Sequence, residues 1–328
     1  MNNAKTIHFT FDYELFFGSK SGSVINSIIK PTKMILDSFE KYNSKATFFI
    51  DYLMILKMQT ASISTKKDAS LIIDQLLEIV ANGHRIELHI HPHWEDAKFI
   101  DGKWDFSNMK RYRLHSFSKS KILKFFIDGV DFLEKICRQV QKDYKIKSFR
   151  AGGWCIQPFD LLKEAFYKTN LKIDSSVSYG AISNSKYLKF DYSNAPDKES
   201  YLFENDITVE NDSGSFMELP ISYYNHNFIH RLLNTIDKKI FSKKYLKIGD
   251  GCHSGYGADN PKLKSNFFKS EKRMLSNDGV NPAIIYNEIR LSKKSKLVVI
   301  GHPKDLTLRS IDVLEKICSN KDFNVISI

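Results

Sequence analysis

Gly83-His84-Arg85-Ile86-Glu87-Leu88-His89-Ile90-His91-Pro92-His93-Trp94 runs a short apolar strand into a proline-marked turn and crowds three histidines at the strand's end. Imidazole at this density marks a site for a divalent first-row metal, which takes neutral nitrogen and carboxylate oxygen ligands. The carboxylates stand in Thr10-Phe11-Asp12-Tyr13-Glu14, at the end of another apolar run. Functional groups gathered at the C-terminal ends of strands are what a parallel α/β barrel provides.

The rest of the chain fits that class. Short β-branched and aromatic runs alternate with segments of helical period. Strands are expected at 6–12, 46–50, 85–90, 146–150, 171–174, 216–219 and 296–301. Between them Pro31 suits the first turn of a helix carrying Met34, Ile35, Ser38 and Phe39, and Leu71, Ile72, Leu76 and Ile79 form a second stripe. Further stripes run from Ile122 to Ile136 and from Leu308 to Cys318. Segments 96–119 and 180–273 break the alternation and are expected to be insertions over the barrel mouth, within one domain spanning 1–328.

The 328 residues carry a net charge of +11, much of it between Lys238 and Arg273. Such a surface attracts polyanions, phosphorylated small molecules or an anionic membrane face. No finger, aromatic RNP pattern or basic heptad region accompanies it, so specific nucleic-acid binding is not expected. Cys137, Cys155, Cys252 and Cys318 lack C-x-x-C spacing and read as reduced thiols. Residues 1–6 enter a strand with no basic and apolar leader, and no apolar run approaches the ~18–20 residues of a spanning helix. A soluble protein in the cytoplasm, or at the inner face of the membrane, is the expectation.

Ionisable residues end five of the expected strands: Asp12 with Glu14, His89 to His93, Arg150, Asp174 and His302. In order along the chain, these segments resemble the polysaccharide deacetylases of the carbohydrate esterases, the NodB-homology family. Thr10-Phe11-Asp12 is similar to that family's first motif, Ala46-Thr47-Phe48-Phe49-Ile50 to its second strand, and His89 to His93 to its H-x-x-x-H motif. Phe149-Arg150-Ala151-Gly152-Gly153-Trp154 resembles the arginine motif, Asp174-Ser175-Ser176-Val177 the aspartate motif, and Val298-Val299-Ile300-Gly301-His302-Pro303 the closing histidine motif. The resemblance implies a distorted seven-stranded (β/α) barrel and metal-dependent hydrolysis of an N-acyl group.

One departure is that the family's first motif commonly has adjacent aspartates, where this chain has Asp12-Tyr13-Glu14. Side chains alternate along a strand, so Glu14 can face the site beside Asp12 while Tyr13 points away. The resemblance then implies Glu14, His89 and His93 as ligands of zinc, or of cobalt, nickel, iron or manganese. His91 competes with His93, since all three histidines share a face of a continuous strand, whereas Pro92 favours a turn and the pair four apart. Asp12 would be the general base and His302 the general acid, with Arg150 orienting Asp12 and Asp174 orienting His302.

Gly153, Trp154, Trp94, Tyr179 and His91 would face substrate. His84, and the pair His226 and His230, read as structural, and Cys252-His253 lies in a glycine-rich loop, 249–257, able to touch substrate. The implied substrate is an acetylated amino sugar, nucleotide- or polyprenyl-linked, as in the intracellular branch tied to surface-polysaccharide and O-antigen synthesis. A deformylase or other amide hydrolase on a lipid-linked substrate, and a non-catalytic carbohydrate-binding protein, are the rivals.

Overall fold

The computed structural model describes residues 4–253 and 269–328. The end of the glycine-rich loop and part of the 180–273 segment lie outside the described residues.

All seven expected strand segments lie in one sheet, and two more strands bring it to nine. In chain order they are β1 (Lys5–Tyr13), β2 (Thr47–Asp51), β3 (Arg85–Ile90), β4 (Ser148–Ala151), β5 (Ile173–Asp174), β6 (Tyr201–Phe203), β7 (Phe216–Glu218), β8 (Lys296–Gly301) and β9 (Phe323–Val325). Their spatial order is β6-β7-β5-β4-β3-β2-β1-β8, with β9 also on β1. Every pairing is parallel except that of the edge strand β6 with β7. A plain seven-stranded barrel is therefore not what forms.

The open side between β7 and β8 is bridged by loop backbone. Leu219 N donates to Asp174 O, Ile221 N to Val177 O, and Ser222 N to Val298 O, at 2.8, 2.8 and 3.0 Å. Residues 219–222 thus carry the curled sheet round to β8. Strand β7 ends at Glu218, just before Pro220, which has no N–H to give a ladder.

Strand alternation sorts the side chains into two shells. Phe9 and Phe11 meet Phe39 of helix Lys30–Lys41, with Phe48 stacked on Phe11, while Leu88 and Phe149 face helix Lys119–Cys137. Tyr13 also points outward, its hydroxyl donating to Gln75 of helix Ile63–Ala81 at 2.9 Å. The opposite set, Thr10, Asp12, Phe49, Asp51, His89 and Arg150, faces the interior; Arg150 lies over the Phe49 ring and bonds Thr10 and Asp12. The 96–119 segment carries the ribbon Lys98–Ile100 and Lys103–Asp105. The 180–273 segment carries a second ribbon strand pair, Ile182–Asn184 with Lys189–Asp191, and the helix Phe228–Ile240. All four cysteines are free.

Helix Lys119–Cys137 approaches the sheet where Gly129 sits: a Cβ there would lie 2.7 Å from Leu88 Cδ1 and 2.8 Å from Tyr52 Cε1. Gly129→Val is expected to destabilise the protein by about 1–3 kcal/mol through overpacking, read from a denaturant midpoint; an unchanged midpoint would contradict this packing.

Candidate active site

The interior strand ends converge on a cavity of about 550 Å³. Asp12, Glu14, His91, Gly153, Trp154, Asp278, His302 and Lys304 contribute to its walls.

Asp12 is held from two sides. Arg150 Nη1 donates to its Oδ1 at 2.7 Å, and His302 Nε2 lies 3.6 Å from its Oδ2. Burial pushes the Asp12 carboxyl up, but the charges of Arg150, His89 and His302 outweigh it and bring its pKa below the ordinary value. Asp12 is thus ionised near neutral pH.

Glu14 lies just past the end of β1 and meets two imidazoles. His89 Nε2 is 3.2 Å and His91 Nε2 2.6 Å from Glu14 Oε2. Potential ligand atoms of these three residues all lie within 4.8 Å of one another. His91 belongs here because the chain stays extended through it, at φ −107° and ψ 90°, so His89 and His91 keep the two-residue period. Gly152 admits its ring: a Cβ at that position would lie 2.8 Å from His91 Nδ1.

His93, expected as the third ligand, stands outside the group. Pro92 opens the 3-10 turn Pro92–Glu95, which rotates the next side chain off the strand's inner face. The His93 ring packs against Phe17 at 4.4 Å and Tyr112 at 5.1 Å, and neither ring nitrogen has a hydrogen-bond partner. Burial and the nearby charge of His91 hold its pKa well below the ordinary value.

The trio fits a metal on chemical grounds. His89 Nδ1 is 2.7 Å from the Arg150 carbonyl oxygen, so it carries a proton there and turns Nε2 toward Glu14. Burial lowers the His89 pKa, but Asp12 and Glu14 outweigh it and raise it above its ordinary value, so without a metal a proton on Nε2 answers that carboxylate, and a bound cation would take the proton's place. A carboxylate with two imidazoles suits zinc, cobalt, nickel, iron or manganese, and the carbonyl behind His89 fixes its tautomer. Lys304 is the sequence's unannounced member: Nζ donates to Glu14 Oε1 at 2.7 Å and to Leu15 O at 2.9 Å. Burial raises the Glu14 carboxyl, yet Lys304 and His91 hold its pKa well below the ordinary value.

Asp174, expected behind His302, serves elsewhere. It accepts from Ser176 N at 2.8 Å and Oγ at 3.0 Å, and its β5 position is registered with Glu218 of β7. The two buried carboxyls oppose each other's ionisation: burial raises Asp174 to about 6, and burial with the Asp174 charge raises Glu218 well above the usual range. Asp278 takes the expected place, with Oδ2 3.0 Å from His302 Nδ1 and Oδ1 accepting from His302 N at 2.8 Å. It sits in an Asn-Asp-Gly turn outside any strand end, so no periodicity pointed to it.

Of the residues expected to face substrate, His91, Gly153 and Trp154 line the cavity. Trp94 is buried against Phe17, Trp104 and Phe106, and Tyr179 packs on Tyr223 beneath Lys272. Neither ring belongs to the cavity wall. His253 does, with Nε2 2.7 Å from Asp305 Oδ1. His84 accepts from Ala46 N at 3.1 Å, while His226 stacks on His230.

Burial lowers His302, but Asp278 and Asp12 more than compensate and raise its pKa to about 9 from 6.5. A group raised on folding stabilises fully below its unfolded pKa and loses that contribution as pH rises through its folded one. The His302 contribution is thus complete below about 6.5 and lost as pH climbs through about 9. In metal-free protein, Asp278→Asn is expected to move the His302 titration, followed by NMR, down toward the ordinary value; an unmoved titration would contradict the pairing.

No family model matches the sequence, and no curated protein matches it. Among solved structures the fold is similar to a Mycobacterium smegmatis protein assigned as a polysaccharide deacetylase, at 15% identity and TM-score 0.47, covering 100% of this chain and 88% of the other. It is also similar to the peptidoglycan deacetylase PdaC of Bacillus subtilis, at 12% identity and TM-score 0.39, covering 100% and 90%. A Bacillus anthracis protein described as a CE4 family pseudoenzyme matches at 12% identity and TM-score 0.42, covering 100% and 65%. All three TM-scores lie below 0.5.

Proposed function

We propose that this protein is a metal-dependent hydrolase that removes an N-acyl group, acetyl first among them, from an amino sugar. The supporting observation is the placing of Asp12 between Arg150 and His302, beside Glu14, His89 and His91, on one cavity. When bound, a metal would lower the pKa of water and polarise a carbonyl oxygen. Glu14, His89 and His91 are the residues to hold it, in place of the Glu14, His89 and His93 set implied by motif spacing.

Asp12, ionised beside Arg150, is placed to take a proton from the attacking water. His302, kept protonated by Asp278, is placed to give one to the leaving amine. The pairing separates base and acid in the way such chemistry needs near neutral pH. Arg150 and Asp278 act as positioning residues. The backbone at Gly152 lies beside His91, and the Gly152-Gly153 segment is the candidate donor to an oxyanion. Trp154 offers a ring for a sugar face. A nucleotide- or polyprenyl-linked sugar of surface-polysaccharide synthesis remains the substrate class that a chain of net charge +11 best suits.

Lys304 favours a second reading. Its ammonium already neutralises Glu14 at 2.7 Å, an arrangement that would serve a carbohydrate-binding protein without turnover. Metal content separates the two. Purified protein is expected to hold near-stoichiometric zinc or a similar ion, to keep it in His93→Ala, and to lose it in Glu14→Ala and His91→Ala. Metal-free protein that also refuses added zinc or cobalt would support the binding reading.

Acetate release from N-acetylated amino sugars is expected to fall by roughly 10²-fold or more in Asp12→Asn and in His302→Ala, the size of a lost acid or base. Release of formate in its place would redirect the substrate to a formylated sugar.

A further inference from the structure

Helix Phe228–Ile240 is attached to the protein by its polar side. His230 Nε2 meets Glu288 Oε1 at 3.0 Å, Arg231 Nη2 donates to Lys269 O at 2.7 Å, and the Asn234 and Asn281 amides meet at 2.7 Å. Asp237 accepts both Arg309 Nε and Nη2, at 2.9 and 2.7 Å. On the opposite face lie Ile229, Leu232, Leu233, Ile236 and Ile240, which are between 44% and 67% exposed. No residue of this helix is buried. The usual arrangement of a surface helix, apolar stripe inward and charge outward, is reversed.

A contiguous apolar face held outward by four polar attachments marks a docking surface. Its surroundings choose the partner. Lys238, Lys239 and Lys243 follow at the helix end, beside Lys244, which is paired with Asp312 at 2.7 Å, and Asp237, the helix's acidic residue, is turned inward to Arg309. Leu246, 69% exposed, extends the apolar surface beyond them. A second copy docked face to face would bring these lysine clusters together, whereas anionic lipid headgroups would neutralise them. Apolar residues on one face and flanking lysines are the composition of a helix that lies in the membrane interface.

We infer that this helix docks the protein on an anionic bilayer surface. Lys238, Tyr245 and Lys247 also line the cavity, so docking brings the cavity mouth close to the headgroups. The inference stands apart from catalysis, since it rests on a surface outside the proposed reacting groups. No helix among the described residues is long and apolar enough to cross a membrane, which leaves a peripheral mode.

Sedimentation with vesicles of phosphatidylcholine plus phosphatidylglycerol tests it, with phosphatidylcholine alone as the control. Wild-type protein is expected to pellet with the anionic vesicles and to be released by salt. The triple variant Ile229→Ser, Leu233→Ser, Ile236→Ser should lose roughly tenfold or more in partitioning while keeping its melting temperature, and Lys239→Glu with Lys243→Glu should lose the preference for anionic lipid. Failure of wild-type protein to pellet, or pelleting indifferent to the triple variant, overturns the inference. Concentration-dependent dimerisation in lipid-free solution, abolished by the triple variant, would assign the face to a second copy. A fall in melting temperature in the triple variant, without vesicle binding, would assign the face to packing within the fold and overturn the inference.

Discussion

Arg150 is the residue on which the interior depends. Its guanidinium is fully buried, and its donors are spent on Asp12 Oδ1 at 2.7 Å, Thr10 Oγ1 at 2.9 Å, Ser175 O at 2.7 Å and Ser175 Oγ at 3.0 Å, while its plane lies over Phe49. One side chain from β4 therefore ties together β1, β2 and the end of β5. Removing a buried charge's partner leaves that charge uncompensated, so Arg150 and Asp12 constrain each other more strongly than either constrains its neighbours. The pair is both a strut across the sheet and the source of the ionised carboxylate.

Around that strut the interior holds charge in matched groups. Asp12 is balanced by Arg150 and His302, Glu14 by Lys304 with His89 and His91 beside it, and His302 by Asp278. Asp51, in register with His89, has no cation in hydrogen-bond contact, and burial pushes it up to about 7. Asp174 and Glu218 avoid ionising together, in a pair at the neighbouring strand ends. Carboxyls that stay charged sit at the cavity, and those pushed toward neutrality sit behind it. A metal at Glu14, His89 and His91 would add charge where carboxylate already accumulates.

The parallel strands were legible because alternation and β-branched runs report burial directly. Seven expected segments reappear in the sheet within a few residues. Helix Tyr52–Ala61 was not, since its residues are apolar on most sides and carry no clear stripe. The strand-end residues Asp12, Glu14, His89, Arg150 and His302 were legible for the same reason as the strands. His91 against His93 was a question of where strand geometry stops. Pro92 ends the extended chain only after His91, so the two-residue period wins over the four-residue one. Asp278, 24 residues from its partner, and Lys304 answer to tertiary proximity, which a linear pattern does not encode.

The most direct test is the position of a metal in a crystal grown with zinc or cobalt, located by anomalous scattering. One strong peak is expected at ligating distance, about 2.0–2.2 Å, from Glu14, His89 Nε2 and His91 Nε2, with His93 still among its aromatic neighbours. A peak ligated by His93, or an occupied Lys304–Glu14 ion pair with no metal at all, would contradict it.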